Sequence, residues 1–415
     1  MAKKSRFKRN GPWPSDDVGV DRGDALELVL GDFNEQGSAI AEYRGILVEV
    51  AGGIPGERVK VEVTRRFPEH LAATVTHVMV RSSDRVEPPC SYYLECTGCQ
   101  FQHISYDRQL AIKHKGVVDE LRQHARMQGV IVKPTIPSPR LFGYRNHARF
   151  SIGRKENSSN VGFVNRTTRR FVRIDECLIM DEMINKTLAH MQGKATGMTQ
   201  TSIRVGTRTG SILVQPKLDN PDIPIRSGQR YFEEVMNDWR FRVASSSFFQ
   251  VNIPQAETIV DLLRVGLCLS DSDVLVDAYC GVGVFASLLA PFVRQVIGIE
   301  EAKSAVSDAT ENAQGMDNVT FIQAKTEDGL NQIKRHVDAL ILDPPRIGCS
   351  PNVIEMVNRL APTRVAVVAC DPAALTRDLI SLSEGSYIIE YIQPIDMFPQ
   401  TRHIEAVAIL SRGNY

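Results

Sequence analysis

The chain is predicted to combine a doubly wound α/β domain with a small OB-like β-barrel before it and a mixed domain between them. Three observations carry this expectation. Beyond residue 245, apolar strand-like runs at 274–276, 296–299, 339–342 and 365–369 alternate with helix-suited segments such as 302–313 and 352–360. That alternation implies a mostly parallel sheet with ligands beyond the carboxyl ends of its strands. Residues 22–82 instead read as short strands and turns without helical periodicity. Residues 83–244 mix a helical stretch at 106–127 with strand-like pieces at 148–152 and 202–205.

Residues 1–21 form a basic tail in which Lys3, Lys4, Arg6, Lys8 and Arg9 precede no apolar stretch, so no secretory signal is expected. In the barrel segment, Leu26, Leu28 and Leu30 alternate with Ala25, Glu27 and Val29, and Val59, Val61 and Val63 alternate with Lys60, Glu62 and Thr64. Period-two alternation marks half-buried strands. The turn Gly52-Gly53-Ile54-Pro55-Gly56-Glu57 separates two of them.

No run of about 18 apolar residues is present, so no membrane span is expected. The formal net charge is zero but unevenly spread. Residues 121–180 carry twelve Arg or Lys against three acids, whereas residues 251–330 carry twelve acids against four bases. A basic stripe of that kind attracts a phosphate backbone, although charge runs are also ordinary solvated surface.

The eight cysteines, in a chain of 415 residues, argue against a disulfide framework and for a reducing, cytoplasmic setting. Cys90, Cys96 and Cys99 cluster as C-x5-C-x2-C, and Cys177 is the nearest further thiol. Four thiolates suit either zinc or an iron–sulfur cluster, and spacing does not choose.

In the α/β domain, Asp277 closes the first apolar run before Ala278-Tyr279-Cys280-Gly281-Val282-Gly283-Val284-Phe285-Ala286. The loop satisfies the dinucleotide pattern G-x-G-x-x-G/A, so a nicotinamide oxidoreductase is one reading. Asp277 and Glu300 favour S-adenosylmethionine instead. The first would meet a ligand ammonium and repel a pyrophosphate, and the second suits ribose hydroxyls. Further along stand Asp343-Pro344-Pro345-Arg346 and Cys370-Asp371-Pro372. The prolines fix a polar turn, but Arg346 occupies the place where amino-directed nucleic-acid methyltransferases put an aromatic residue. A thiol at a strand end suits a nucleophile. Carbon 5 of uracil needs thiolate addition at carbon 6 before it attacks a methyl sulfonium, and a base must then remove the carbon 5 proton. Cys370 is therefore the candidate nucleophile and Glu405 the candidate base. Cys280 and Cys349 rank lower, and His403 is read as a structural hydrogen-bonder.

Together with Ser247-Phe248-Phe249-Gln250-Val251-Asn252 and Met397-Phe398-Pro399, these motifs resemble the RNA uracil-5-methyltransferase family over nearly the whole chain. The resemblance implies a class I methyltransferase domain (a Rossmann-like doubly wound sheet) at 245–415, with Cys370 as nucleophile and Glu405 as proton acceptor. It implies cofactor-site positions at Gln250, Tyr279, Glu300 and Asp343. Val284 departs from the polar Asn or Thr frequent in the family. Ile54-Pro55-Gly56-Glu57 is similar to the hallmark of an RNA-binding TRAM barrel at 22–82. In the branch carrying TRAM, the cysteine pattern implies a [4Fe-4S] cluster on Cys90, Cys96, Cys99 and Cys177, within a central domain at 83–244. The expected substrate is RNA, 23S rRNA before the T-loop of tRNA, and the expected state is a monomer. A non-catalytic RNA-binding or assembly protein is the other class considered.

Overall fold

In the computed structural model, residues 19–155 and 158–413 are described, the side chains of 154, 155 and 158 excepted. The basic tail therefore lies, apart from its last three residues, outside the described part. The chain divides into two units. Among the described residues, one takes 19–108, 164–172 and 400–402, and the other takes 109–155, 158–163, 173–399 and 403–413.

The first unit opens with β1 (Ala25–Val29), β2 (Ala39–Tyr43), β3 (Ile46–Ala51), β4 (Arg58–Arg66) and β5 (His70–Val80). They form a sheet in the order β1-β4-β5-β3-β2, with β3 parallel to β5 and the other pairs antiparallel. Just beyond β1, the Gly31 N–H donates to Ile40 O (2.7 Å) and the Ile40 N–H to Asp32 O (2.9 Å), so the two edges meet and the sheet closes. The alternation read in the sequence fills the interior: Val59, Val61 and Val63 are fully buried and Leu26, Leu28 and Leu30 nearly so. Glu57 is buried as well. Its carboxylate accepts from Ile54 N (2.9 Å), Ser82 N (3.1 Å) and Arg85 Nε (2.7 Å). Burial opposes its ionisation, but Arg85 and the two N–H groups outweigh that and hold the carboxyl below its usual range. The acid of the Ile54-Pro55-Gly56-Glu57 turn thus serves to lock the turn.

In the second unit, α1 (Tyr106–Arg122) is followed by β6 (His147–Lys155) and β7 (Ser158–Val164), then β8 (Phe171–Arg173), α2 (Glu182–Met191), β9 (Gln200–Val205) and β10 (Ile212–Gln215). β6 pairs antiparallel with β7 and β9, and β10 continues beyond β9. A hairpin of β11 (Tyr231–Met236) and β12 (Trp239–Ala244) leads into α3 (Ile253–Gly266).

The remaining elements are β13 (Val274–Ala278), α4 (Val284–Leu289), β14 (Gln295–Glu300), α5 (Lys303–Asn312), β15 (Val319–Gln323), α6 (Thr326–Gln332), β16 (Ala339–Leu342), α7 (Pro351–Leu360), β17 (Arg364–Ala369), α8 (Pro372–Glu384), β18 (Tyr387–Ile395) and β19 (Glu405–Arg412). Their seven strands make one sheet, β15-β14-β13-β16-β17-β19-β18, parallel from β15 to β17 and antiparallel at β19. Its strands feed two cores. Leu275, Ile341, Ala366 and Val407 pack on one face, and Val276, Leu342, Val367 and Ala408 on the other. A parallel sheet covered on both faces is what contiguous apolar strands dictate. No described helix is long and apolar enough to cross a membrane.

Candidate active site

The glycine loop joins β13 to α4. Gly281 and Gly283 both have positive φ (+54° and +79°), which glycine adopts without strain. A side chain at Gly283 would press against Ala309 and Phe321, each 3.1 Å away. Asp277, fully buried, accepts the Ala286 N–H (2.9 Å) through Oδ2, while Oδ1 has no partner. Burial and the nearby Asp343 push its carboxyl up to about 8 against the opposing Ala286 bond. Asp277 thus holds the loop to its strand. Tyr279 takes positive φ (+66°), an uncommon state for a bulky residue, and its hydroxyl bonds Thr326. Glu300, at the end of β14, accepts the N–H groups of Gly281 (3.1 Å) and Ala302 (2.7 Å), which aims its carboxylate at the loop. Val284 is buried in the core, so the departure there is a packing residue.

Gln250 lies in the segment before α3. Asn146 Nδ2 donates to Gln250 O (3.0 Å), and Ser247 Oγ upstream bonds Asp308 Oδ2 (2.8 Å). Asn312, next to these contacts, donates to Val282 O (3.0 Å) and accepts from Arg242 N (2.7 Å), tying the hairpin to the glycine loop.

Cys370 directly follows β17 and Glu405 begins β19, with Cys370 half-buried and Glu405 buried. Asp371 caps α8 by accepting from Ala373 N (3.1 Å) and Ala374 N (3.0 Å), with Pro372 at the first helical position. The cap fixes where the thiol stands. Burial and Glu405 raise the Cys370 thiol, while Arg346, which hydrogen-bonds it, opposes the rise. Glu405 is raised well above the carboxylate range, by burial first and by Asp343 second, with Arg346 again opposing. Asp343 itself is pushed up to about 7 by burial. Arg346 also meets His403, Nη2 to Nδ1 at 3.2 Å.

The rival thiols are enclosed: Cys280 and Cys349 are buried, and both are raised by burial first. Thiol, carboxyl and guanidinium therefore converge at Cys370, Glu405 and Arg346. The sequence places Arg346 in the proline turn but gives it no role beside Cys370 and Glu405. Its place in a strand-end turn before a candidate nucleophile was the available signal. Arg346→Met is expected to lower kcat/KM about 10²-fold at neutral pH and to move the alkaline rise of the rate upward, because the thiolate loses its counter-charge. A pH profile of single-turnover rates reads both effects.

The turn leading to Glu405 is pinned from below. Asn252 Nδ2 donates to Met397 O (3.1 Å) and Gln255 Nε2 to Asp396 O (2.9 Å). Lys113, buried on α1, pairs with Asp396 and donates to Phe398 O (3.0 Å). Burial lowers the Lys113 pKa, and Asp396 opposes that shift. Removing one member of a buried pair strands the other charge. Lys113→Met is expected to cost about 3–5 kcal/mol, read as an earlier urea midpoint.

The cysteine segment is ordered by its backbone, since Cys96 N bonds Tyr92 O (2.7 Å) and Tyr93 N bonds Cys90 O (3.0 Å). Cys90, Cys96 and Cys99 are half-buried thiols in the first unit, and Cys177 is a half-buried thiol in the second. Burial raises the Cys96 thiol, and the backbone N–H of Gly98 opposes the rise. Asn185 holds the Cys177 backbone through N (2.9 Å) and O (3.2 Å). Among the described residues, no three His, Cys, Asp or Glu side chains are gathered as a metal-holding group.

Residues 228–413 match the family model described as tRNA (Uracil-5-)-methyltransferase. Over 94% of this chain and 98% of the other, it is 32% identical to an uncharacterized RNA methyltransferase of Thermosynechococcus vestitus. It is 30% identical to another from Halalkalibacterium halodurans, over 95% of this chain and 98% of that one. Among solved structures, it is similar to the Pyrococcus abyssi tRNA (uracil-54, C5)-methyltransferase in complex with S-adenosyl-L-homocysteine. That likeness has a TM-score of 0.70 and 25% identity, covering 93% of this chain and 100% of that one.

Proposed function

Because the chain belongs to the RNA uracil-5-methyltransferase family and is an RNA methyltransferase supplied by S-adenosylmethionine, we propose that it methylates carbon 5 of a uridine through a covalent bond to Cys370. The observation that carries this is the convergence of the Cys370 thiol, the Glu405 carboxyl and Arg346 at adjacent strand ends.

Cys370 gives its proton to solvent and adds as the thiolate to carbon 6 of the uracil, which drives the carbon 5–carbon 6 π electrons onto carbon 5 and the carbonyl oxygen. Carbon 5 takes the methyl group from sulfonium sulfur, leaving S-adenosylhomocysteine. Glu405, which first gives its own proton to solvent beside Arg346, accepts the carbon 5 proton, the ring double bond reforms, and the Cys370 thiolate leaves. Arg346 favours the thiolate and the ionised Glu405 electrostatically. Gln250, Tyr279, Glu300 and Asp343 form the methyl-donor site. Glu300 offers its oxygens to ribose hydroxyls, and the buried carboxyls Asp277 and Asp343 favour a cationic ligand nearby.

Residues 22–82 act as a TRAM-like RNA-binding barrel, residues 83–244 as the central domain and residues 245–415 as the methyltransferase domain, in a monomeric cytoplasmic protein. Cys90, Cys96, Cys99 and Cys177 hold a [4Fe-4S] cluster that organises the RNA-binding surface; the four-thiol donor set supports it. Such a cluster supplies structure here, since methyl transfer moves no electrons. Cys96→Ala or Cys99→Ala is expected to lower bound iron, measured per protein after anaerobic purification, by more than half. Unchanged iron refutes the assignment.

Large-subunit ribosomal RNA is the proposed substrate. The T-loop of tRNA is the second reading, favoured by the likeness to the Pyrococcus abyssi tRNA enzyme over 93% of this chain. Mapping 5-methyluridine in ribosomal and transfer RNA from cells with and without the gene decides between them, and no lost modification in either refutes both.

A further inference from the structure

The outer face of the barrel carries a cleft of about 260 Å³. Val48, Val50, Val63 and Ala73 face the barrel core, so by strand alternation Glu49, Thr64 and Thr74 turn outward, and all three line the cleft. Its far wall is the loop between β7 and β8. Asn165 accepts the N–H groups of Thr167 (2.9 Å) and Thr168 (2.8 Å) and donates to Glu95 O (2.8 Å). Arg65 Nη1 donates to Thr167 O (2.7 Å), and Arg166 N donates to Thr97 Oγ1 (2.9 Å). The cleft is therefore built rather than incidental to a loose loop. Phe67 supplies an aromatic wall, fixed by stacking with His70 (centroids 4.4 Å apart) and by the Arg65 guanidinium 4.7 Å from its centroid.

We infer that this cleft holds one unpaired, amino-bearing nucleobase of the RNA; the inference rests on the reading of the protein as an RNA enzyme. Three features select that ligand. The volume lies below the about 300–1,000 Å³ of pockets for larger ligands and suits a single ring system. Hydroxyl, amide and carboxylate groups converge on it, the chemistry that reads a base edge. Glu49 and Glu95 line it, and carboxylates accept from an exocyclic amino group while repelling phosphate. The phosphates then belong at the rim, where Arg166 and Arg169 are exposed on the same loop, while Arg170 lines the cleft itself. Phosphate contacts position and base contacts specify.

The test uses the full chain and two ten-nucleotide single strands, oligo(A) and oligo(U), with binding followed by fluorescence anisotropy. Oligo(A) is expected to bind about tenfold tighter than oligo(U). Thr74→Phe and Thr168→Trp fill the cleft from opposite walls and are each expected to abolish the preference. Arg166→Ala with Arg169→Ala is expected to weaken both oligomers together and reduce the salt slope by about 1.4. Adenosine 5′-monophosphate should compete weakly with oligo(A). If the monophosphate binds and oligo(A) fails to displace it, the cleft takes a free nucleotide and the inference is overturned. Equal affinities, or a preference surviving both filled variants, also overturn it. Wild-type protein that prefers oligo(A) yet methylates no uridine refutes the catalytic reading and leaves the cleft standing.

Discussion

Cys370→Ser is expected to lower methyl transfer to RNA by at least about 10⁴-fold, with binding of S-adenosylhomocysteine unchanged. The expectation follows from the reacting carbon rather than from the residue's type. Carbon 5 of a neutral uracil does not attack a sulfonium unaided, so without addition at carbon 6 the methyl donor sits beside an inert ring. A serine hydroxyl ionises far less readily than a thiol at the same strand end, even though burial has raised the Cys370 thiol. Arg346 does not make up that difference for an alcohol. RNA carrying 5-fluorouridine supplies a second readout. The wild type should be trapped as a covalent adduct, because fluorine cannot leave as a proton does, and the serine variant should run free on a denaturing gel. Retained turnover within tenfold of wild type would remove the covalent step from the mechanism. Fold loss is separable, since a misfolded variant would also lose S-adenosylhomocysteine binding.

Much of this arrangement was legible in the chain because the chemistry is local. The parallel strands β13, β14, β16 and β17 are buried and therefore read as contiguous apolar runs. The helices expected at 302–313 and 352–360 occur as Lys303–Asn312 and Pro351–Leu360. β15 escaped because none of its residues is buried, which leaves it no apolar run. β19 is a nearly unbroken buried strand, but it returns antiparallel between β17 and β18, which the alternation of strand and helix does not announce. The expected helix at 106–127 stops at Arg122, and its last turns become a separate 3-10 segment at Ala125–Met127. In the site, the sequence points to Asp277 as facing a ligand, and the structure adds that its Oδ2 accepts the Ala286 N–H while its Oδ1 has no partner. Contacts that depend on distant residues stayed hidden. Lys113 meets Asp396 across 283 positions and Arg346 meets His403 across 57, and neither spacing leaves a periodic trace.

Glu405→Gln should separate the two halves of the reaction. The amide keeps the shape of the side chain but cannot accept the carbon 5 proton, so turnover is expected to fall by about 10²–10⁴-fold while methyl transfer itself proceeds. RNA methylated at carbon 5 and still bonded to Cys370 should then accumulate, visible as a slow band that carries label from the methyl donor. The same substitution should have an opposite effect on stability. Burial first, and then Asp343, raise the Glu405 carboxyl well above its usual value, so the fold favours its neutral form. A group raised in the folded state contributes stability that is complete below its unfolded pKa and is lost as pH rises through the folded one. Wild-type stability, measured without RNA or methyl donor, should therefore decline from pH 5 upward. Glutamine, neutral throughout, should match the wild type near pH 5 and exceed it at pH 8. A variant that loses activity and gains no stability at alkaline pH would mean that Glu405 is already ionised in the resting protein. The proton would then be accepted by a base prepared in advance, with Arg346 rather than burial governing its charge.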